Sequence, residues 1–135
     1  MLSRPLPQVT PANEHFWTSG RRGALELLRC TACGYWIHPP GPVCPRCLGA
    51  PRPQPVSGRG VVHTFTVNHQ QWQPGLTVPF VVAIVELAEQ SGLRLTTNIV
   101  GCPPEQVRIG LPVQVLFEQV EDVFLPLFKP VCDVR

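Results

Sequence analysis

The sequence predicts a mainly β protein in which a short N-terminal helix and a four-cysteine metal ribbon precede a five-stranded barrel. Three observations carry this prediction. Two Cys-x-x-Cys pairs, Cys30 with Cys33 and Cys44 with Cys47, are separated by ten residues. Three prolines, Pro51, Pro53 and Pro55, follow them closely. Beyond Ser57 come five short apolar runs, the first rich in β-branched residues, punctuated by glycine and proline.

Residues 1–24 read as an arm and a short helix. Pro5 and Pro7 keep the arm extended. Thr10 can cap a helix that starts at Pro11, with Glu14 favourably placed in the first turn and Gly20 ending it. Phe16 and Trp17 are adjacent and cannot share one helix face. The sequence assigns one to the interior and offers the other to a partner, while burial of both is an equally good reading for large aromatics.

Residues 25–50 read as the ribbon. Leu25 and Leu27 alternate along a strand that leads into the first cysteine pair. Each Cys-x-x-Cys turn can aim two thiolates at one metal about 2.3 Å away, and Gly34 and Gly49 supply the tight backbone that follows. Four thiolates close a tetrahedral site and leave no position for water, so the expected ion is a structural Zn2+ held by Cys30, Cys33, Cys44 and Cys47. A disulfide pair and a redox motif are the competing readings, and the four-cysteine pattern argues against both. His38 lies between the pairs, but four sulfurs leave it unneeded as a ligand. The short gap fits one tight loop shaped by Pro39, Pro40, Gly41 and Pro42. Residues 51–57 then read as a stiff hinge between two lobes, because its prolines serve neither a helix nor a sheet interior.

Residues 58–135 read as the barrel. Strands are expected at 61–67, Phe80–Leu87, 93–100, 113–118 and near 124–128, with one helical turn at 103–107. Five strands with a short helical element between the third and fourth fit an OB barrel.

Composition narrows the function. The chain has 135 residues, a net charge of +2 and only 15% charged residues, so it lacks the basic stripe of a nucleic-acid binder. No N-terminal leader and no apolar run long enough to cross a bilayer is visible, which, with reduced thiols, leads us to expect a cytoplasmic protein without a membrane partner. A hydrophobic content of 44% suggests a surface partly covered by another protein.

Outside the cysteines the candidates are weaker. His63 and His69 lie at the two ends of the first barrel strand; a polar strand face explains them more simply than substrate contact does. Trp72 sits in the long 68–79 loop and is the preferred interface anchor, with packing over the barrel end as the alternative. The apolar tail that includes Phe128 either closes the barrel or reaches a partner. Cys102 and Cys132 stand far from the paired cysteines, and an inert thiol is the commoner fate of such a Cys102. The barrel face that binds single strands in other OB proteins offers only Phe80 for stacking and Arg94 for charge.

The Thr-Pro helix with Phe16-Trp17, the cysteine ribbon, the prolines and the Gly58–Val67 run together resemble one known family. It is the acyl-CoA-associated family that joins a rubredoxin-like zinc ribbon to an OB-fold, catalogued as domain of unknown function thirty-five. Segments 79–87, 107–113 and 125–130 extend the resemblance over nearly the whole chain, while Gly41 replaces an arginine that often follows the paired prolines. The resemblance implies a non-catalytic companion of a thiolase-like enzyme, in a heterotetramer or larger assembly that handles acyl-CoA, with a hydratase as a possible neighbour. The implied partner is an acyltransferase, a synthase or a retro-aldolase acting on a steroid side chain. In that setting Phe16, Trp17, His69, Trp72 and Phe128 are the candidate partner or substrate contacts, and Arg46, Arg52 and Arg59 the candidate contacts to CoA phosphates. No phosphate-cradling glycine loop accompanies those arginines. A freestanding acyl-CoA binding module and an OB-type single-stranded nucleic-acid binder are the alternative functions.

Overall fold

A computed structural model describes residues 7–71 and 77–131. The chain runs α1 (Glu14–Thr18), a 3-10 turn (Ser19–Arg22), β1 (Glu26–Cys30), β2 (Trp36–Ile37), β3 (Pro51–Pro55), β4 (Arg59–Asn68), β5 (Phe80–Leu87), β6 (Arg94–Ile99), a second 3-10 turn (Pro104–Gln106), β7 (Pro112–Val120) and β8 (Val123–Pro130). The first three strands form one sheet in the order β2-β1-β3, and the other five close a barrel in the order β4-β5-β6-β8-β7. The mainly β reading and the five-stranded barrel therefore hold.

The helix starts later than Thr10 suggests. Thr10 opens a turn in which Asn13 N donates to Thr10 O (3.1 Å) and Asn13 Oδ1 accepts from Thr10 N (2.7 Å). Asn13 O then accepts from Phe16 N and Trp17 N, which makes Asn13 the entry residue of α1. Gly20 is buried against Phe117 and Phe124, where a Cβ would lie 2.5 Å from the Phe117 ring, and left-handed Gly23 ends the turn instead.

The segment expected as a hinge is an edge strand. β3 pairs antiparallel with β1 from Glu26↔Pro55 to Cys30↔Pro51. Thr31 N donates to Ala50 O and Val56 N to Leu25 O, so the even-numbered residues of this stretch face β1. By alternation Pro51, Pro53 and Pro55 turn their missing N–H groups to the free edge, where a proline costs no ladder bond. Nor are the two sheets separate lobes. Leu25, Leu27, Trp36 and Val56 share one core with barrel residues such as Val62, Val85, Val113 and Phe128, while Leu28, Cys30, Ile37 and Cys44 form a second cluster around the sulfurs. β1 thus contributes one face to each cluster.

Alternation along β4 breaks between buried Val62 and inward-leaning Phe65. The register shows why: Val62 pairs with Val85 and Thr64 with Ile84, leaving His63 as the extra residue of a bulge. The barrel closes where β6 and β8 run parallel with a single registered pair, Ile99↔Phe128. Val100 N donates to Phe128 O (2.8 Å) there, and the buried hydroxyl of Thr97 donates to Pro126 O (2.9 Å). Pro126 has no N–H to continue a ladder, so a side chain completes the seam.

Candidate metal centre

Strand β1 delivers Cys30, and residues 31–33 turn back so that Gly34 N donates to Cys30 O (3.0 Å). The second knuckle repeats this geometry, with Leu48 N donating to Cys44 O (2.9 Å). The four Sγ atoms lie within 4.8 Å of one another, with Cys30 to Cys47 at 3.4 Å and Cys33 to Cys44 at 3.7 Å. A tetrahedral metal with bonds of about 2.3 Å needs sulfur–sulfur edges of about 3.8 Å. The four donors therefore fit zinc. When bound, the ion supplies a structural crosslink between the knuckles, since four protein ligands leave no open position.

Backbone amides prepare the sulfurs for it. Ala32 N and Cys33 N both donate to Cys30 Sγ at 3.4 Å, and Arg46 N donates to Cys44 Sγ at 3.3 Å. The Cys33 amide is the main reason the Cys30 thiol falls from 9.0 to about 6. At Cys44 burial acts to raise the thiol, but the amides of Arg46 and Cys47 outweigh it and leave it lowered. Cys47 is pushed up to about 12, chiefly by the Cys30 sulfur beside it. Sulfurs this close resist sharing negative charge, and a dication removes that conflict.

The two knuckles meet their backbone demands differently. Gly34 takes the left-handed conformation (φ +80) in the first, as expected. In the second, the equivalent position is Leu48 (φ +67), a non-glycine residue that is 74% exposed. Gly49 serves another purpose: a Cβ there would lie 2.7 Å from Cys30 Sγ and 3.2 Å from Cys47 Sγ, so hydrogen alone leaves room for the sulfurs.

The other candidates separate clearly. Phe128 is 0% exposed inside the barrel and cannot meet a partner, which corrects its reading as a contact. Phe16 is buried, yet it helps wall a cavity of about 420 Å³ together with half-buried Trp17, His38 and Pro40, exposed Pro39 and buried Leu95. Its ring stacks on His38 (4.9 Å) and meets Trp17 edge-on (4.8 Å). His69 is exposed just past β4, and Trp72 and Cys132 lie outside the described residues. The three arginines are spread apart: Arg46 lies over the Tyr35 ring (5.2 Å), Arg52 is exposed on β3, and Arg59 on β4 lines a different cleft from Arg46.

Neither Cys102 nor Glu86 is set up as a reactive group. Burial pushes the Cys102 thiol up, and no hydrogen-bond partner accompanies it among the described residues. Glu86 accepts from Gly92 N (3.2 Å) and Arg94 Nε (3.2 Å), contacts that hold its carboxyl below the usual range, and His63 Nδ1 stands 3.9 Å away. Sequence reasoning missed His38 as a cavity wall and Gln90 as a link between the sheets; nothing in their local pattern marks either residue.

Comparison with known proteins agrees with this architecture. Residues 17–53 match the ChsH2 rubredoxin-like zinc ribbon domain, and residues 53–118 match the ChsH2 C-terminal OB-fold domain. A probable enoyl-CoA hydratase alpha subunit of Thermomonospora curvata is 38% identical over 94% of this chain but only 40% of its own length. A DUF35 domain-containing scaffold protein of Methanocaldococcus jannaschii is 36% identical over 75% of this chain and 72% of that protein. The 3-oxo-4,17-pregnadiene-20-carboxyl-CoA hydratase alpha subunit of Mycobacterium tuberculosis is 38% identical over 92% of this chain and 39% of its own. The chain thus spans about two fifths of the hydratase subunits it matches. Among solved structures, a chain of the Ltp2-ChsH2(DUF35) aldolase superposes with a TM-score of 0.83 at 35% identity, covering 93% of this chain and 98% of that one. With its ribbon, its barrel and nearly its whole length matched in this way, the chain belongs to the DUF35 family of zinc-ribbon and OB-fold proteins.

Proposed function

We propose that the chain is a non-catalytic subunit of an acyl-CoA carbon–carbon lyase or transferase complex, bound to a thiolase-fold enzyme in a heterotetramer or larger assembly in the cytoplasm. The observation that carries this reading is the likeness to the DUF35 chain of an aldolase, which extends over 98% of that chain. Retro-aldol cleavage of a steroid side chain is the favoured partner reaction, because one relative is named as a pregnadiene-carboxyl-CoA hydratase subunit. In the two hydratase subunits the matching stretch is part of a longer chain, which supports a hydratase as a neighbour in the same assembly.

The chain's part is positional. Zinc pins the knuckles, the shared core fixes the ribbon against the barrel, and the Phe16, Trp17 and His38 cavity is offered to the partner's acyl channel. The partner holds most of the acyl-CoA. Co-expression with a thiolase-fold aldolase, purification through a tag on this chain and size exclusion are expected to give one complex with one zinc per chain. Cys44→Ser should lose both zinc and complex. A zinc-loaded chain that elutes alone would overturn the reading in favour of a freestanding acyl-CoA binding module.

A further inference from the structure

Arg59, Gln114 and Lys129 form one row across three neighbouring strands. Gln114 on β7 is in register with Arg59 on β4 to one side and with Lys129 on β8 to the other. Strands lie about 4.8 Å apart, so the two cations start about 10 Å apart at the backbone, a gap two long side chains can close on one ligand. Their neighbours Val113 and Phe128 are fully buried, so by alternation the row faces outward. It opens on a cleft of about 480 Å³ whose remaining walls are Gly101, Pro130 and Val131.

Among the described residues neither cation has a counter-charge. Among the described residues the ion pairs join Arg22 to Glu26, and Arg94 and His63 to Glu86, and the arginines over aromatic rings are Arg21, Arg29 and Arg46. Arg59 and Lys129 have no such partner there. Gln114 Nε2 donates to Ser57 O (3.3 Å), which leaves its amide oxygen as an acceptor between the two charges. Gly101 is left-handed (φ +80), and a Cβ on it would come within 3.3 Å of Lys129 Cβ, so the loop stays clear of the lysine stem.

We propose that this cleft binds a phosphate monoester carried on a nucleoside-sized group. A planar carboxylate is satisfied by one arginine fork, whereas a tetrahedral phosphate dianion presents oxygens to a fork on one side and a point charge on the other. The cleft is far larger than a phosphate alone and falls in the range of small-molecule sites. Pro130 and Val131 give an apolar wall for the attached group, and Gln114 Oε1 can accept a hydrogen bond from it. The site lies on the barrel and does not depend on the aldolase-subunit reading.

The test is an amide NMR titration of the zinc-loaded full chain at low salt with adenosine 5′-monophosphate, adenosine and inorganic phosphate. The monophosphate should give saturable shifts at Arg59, Gly101, Gln114 and Lys129, and adenosine should give none. Arg59→Gln and Lys129→Gln should each weaken binding by about 10-fold or more, with zinc content and melting temperature unchanged. Arg52→Gln on the ribbon should leave it unchanged. Equal binding of adenosine, or equal weakening by Arg52→Gln, would overturn the site, and inorganic phosphate binding as tightly as the monophosphate would overturn the nucleoside-sized part.

Discussion

Gln90 completes both backbone hydrogen bonds that the ribbon sheet leaves open at Trp36: its Oε1 accepts from Trp36 N (2.9 Å) and its Nε2 donates to Trp36 O (3.0 Å). Tyr35 O accepts from Cys30 N, so Trp36, one residue on, turns its peptide groups away from β1 and toward the turn after β5. One amide thereby ties the ribbon to the barrel.

Gln90→Ala removes both bonds and leaves two partly buried groups of Trp36 unpaired. The expected loss is about 2–3 kcal/mol in urea unfolding of the zinc-loaded protein. A loss below about 0.5 kcal/mol would mean that water replaces the amide at no cost.

His38 should make stability depend on pH. Burial first, and His15 second, lower it from 6.5 to about 4, and His15 is itself lowered by burial against an opposing effect of Glu26. His38 Nδ1 and His15 Nε2 are buried without hydrogen-bond partners among the described residues. Because the native ring resists protonation, its stabilisation is complete above about pH 6.5 and is lost as pH falls toward about 4, below which both states carry the proton. The gap corresponds to at most about 3 kcal/mol. His38→Phe keeps a ring against Phe16 and should flatten the stability curve over that window. Zinc release in acid affects both proteins alike, so parallel curves would remove the histidine as the cause.

Gly49→Ala should weaken zinc binding by about 10-fold or more in chelator competition, because the added methyl group presses on Cys30 Sγ. Leu48→Gly should do the opposite kind of thing: zinc is retained, and stability is unchanged or up to about 1 kcal/mol higher, since relief of left-handed strain offsets glycine's extra freedom when unfolded. A variant Leu48→Gly that loses zinc would show that the leucine side chain supports the knuckle.

Thr97→Val keeps the shape of the seam residue and deletes its hydroxyl. Pro126 O then lacks its partner in a buried place, at an expected cost of about 1–3 kcal/mol. Hydrogen exchange should quicken first at Val100, whose amide bonds across the same seam. Unchanged exchange there would mean that the seam does not rely on the threonine.

Much of this fold is legible in the sequence because its signals are local. Cys30 and Cys33, or Cys44 and Cys47, set their own turn, and the short apolar runs mark every barrel strand within a few residues. What escapes is non-local. The prolines of β3 look like a hinge until the partner strand shows which edge they face. Phe128 looks like a surface tail because nothing near it reveals that β8 closes a barrel. Gln90 and Trp36 lie 54 residues apart, and no pattern in either segment announces the other. The role of Gly49 is legible only in part, since a glycine after a cysteine pair serves either a positive φ or the space beside a sulfur.

The treatment of the sheet edges limits how this protein can recruit others. The barrel has closed on itself, Gln90 occupies the outer edge at Trp36, and the opposite ribbon edge shows prolines where a neighbour would seek N–H donors. Strand addition, the commonest way for a β protein to capture an extended peptide or to aggregate, therefore has little to grip at these two ribbon edges. A partner that meets the ribbon there does so through side-chain surfaces with a fixed shape rather than by extending its sheet.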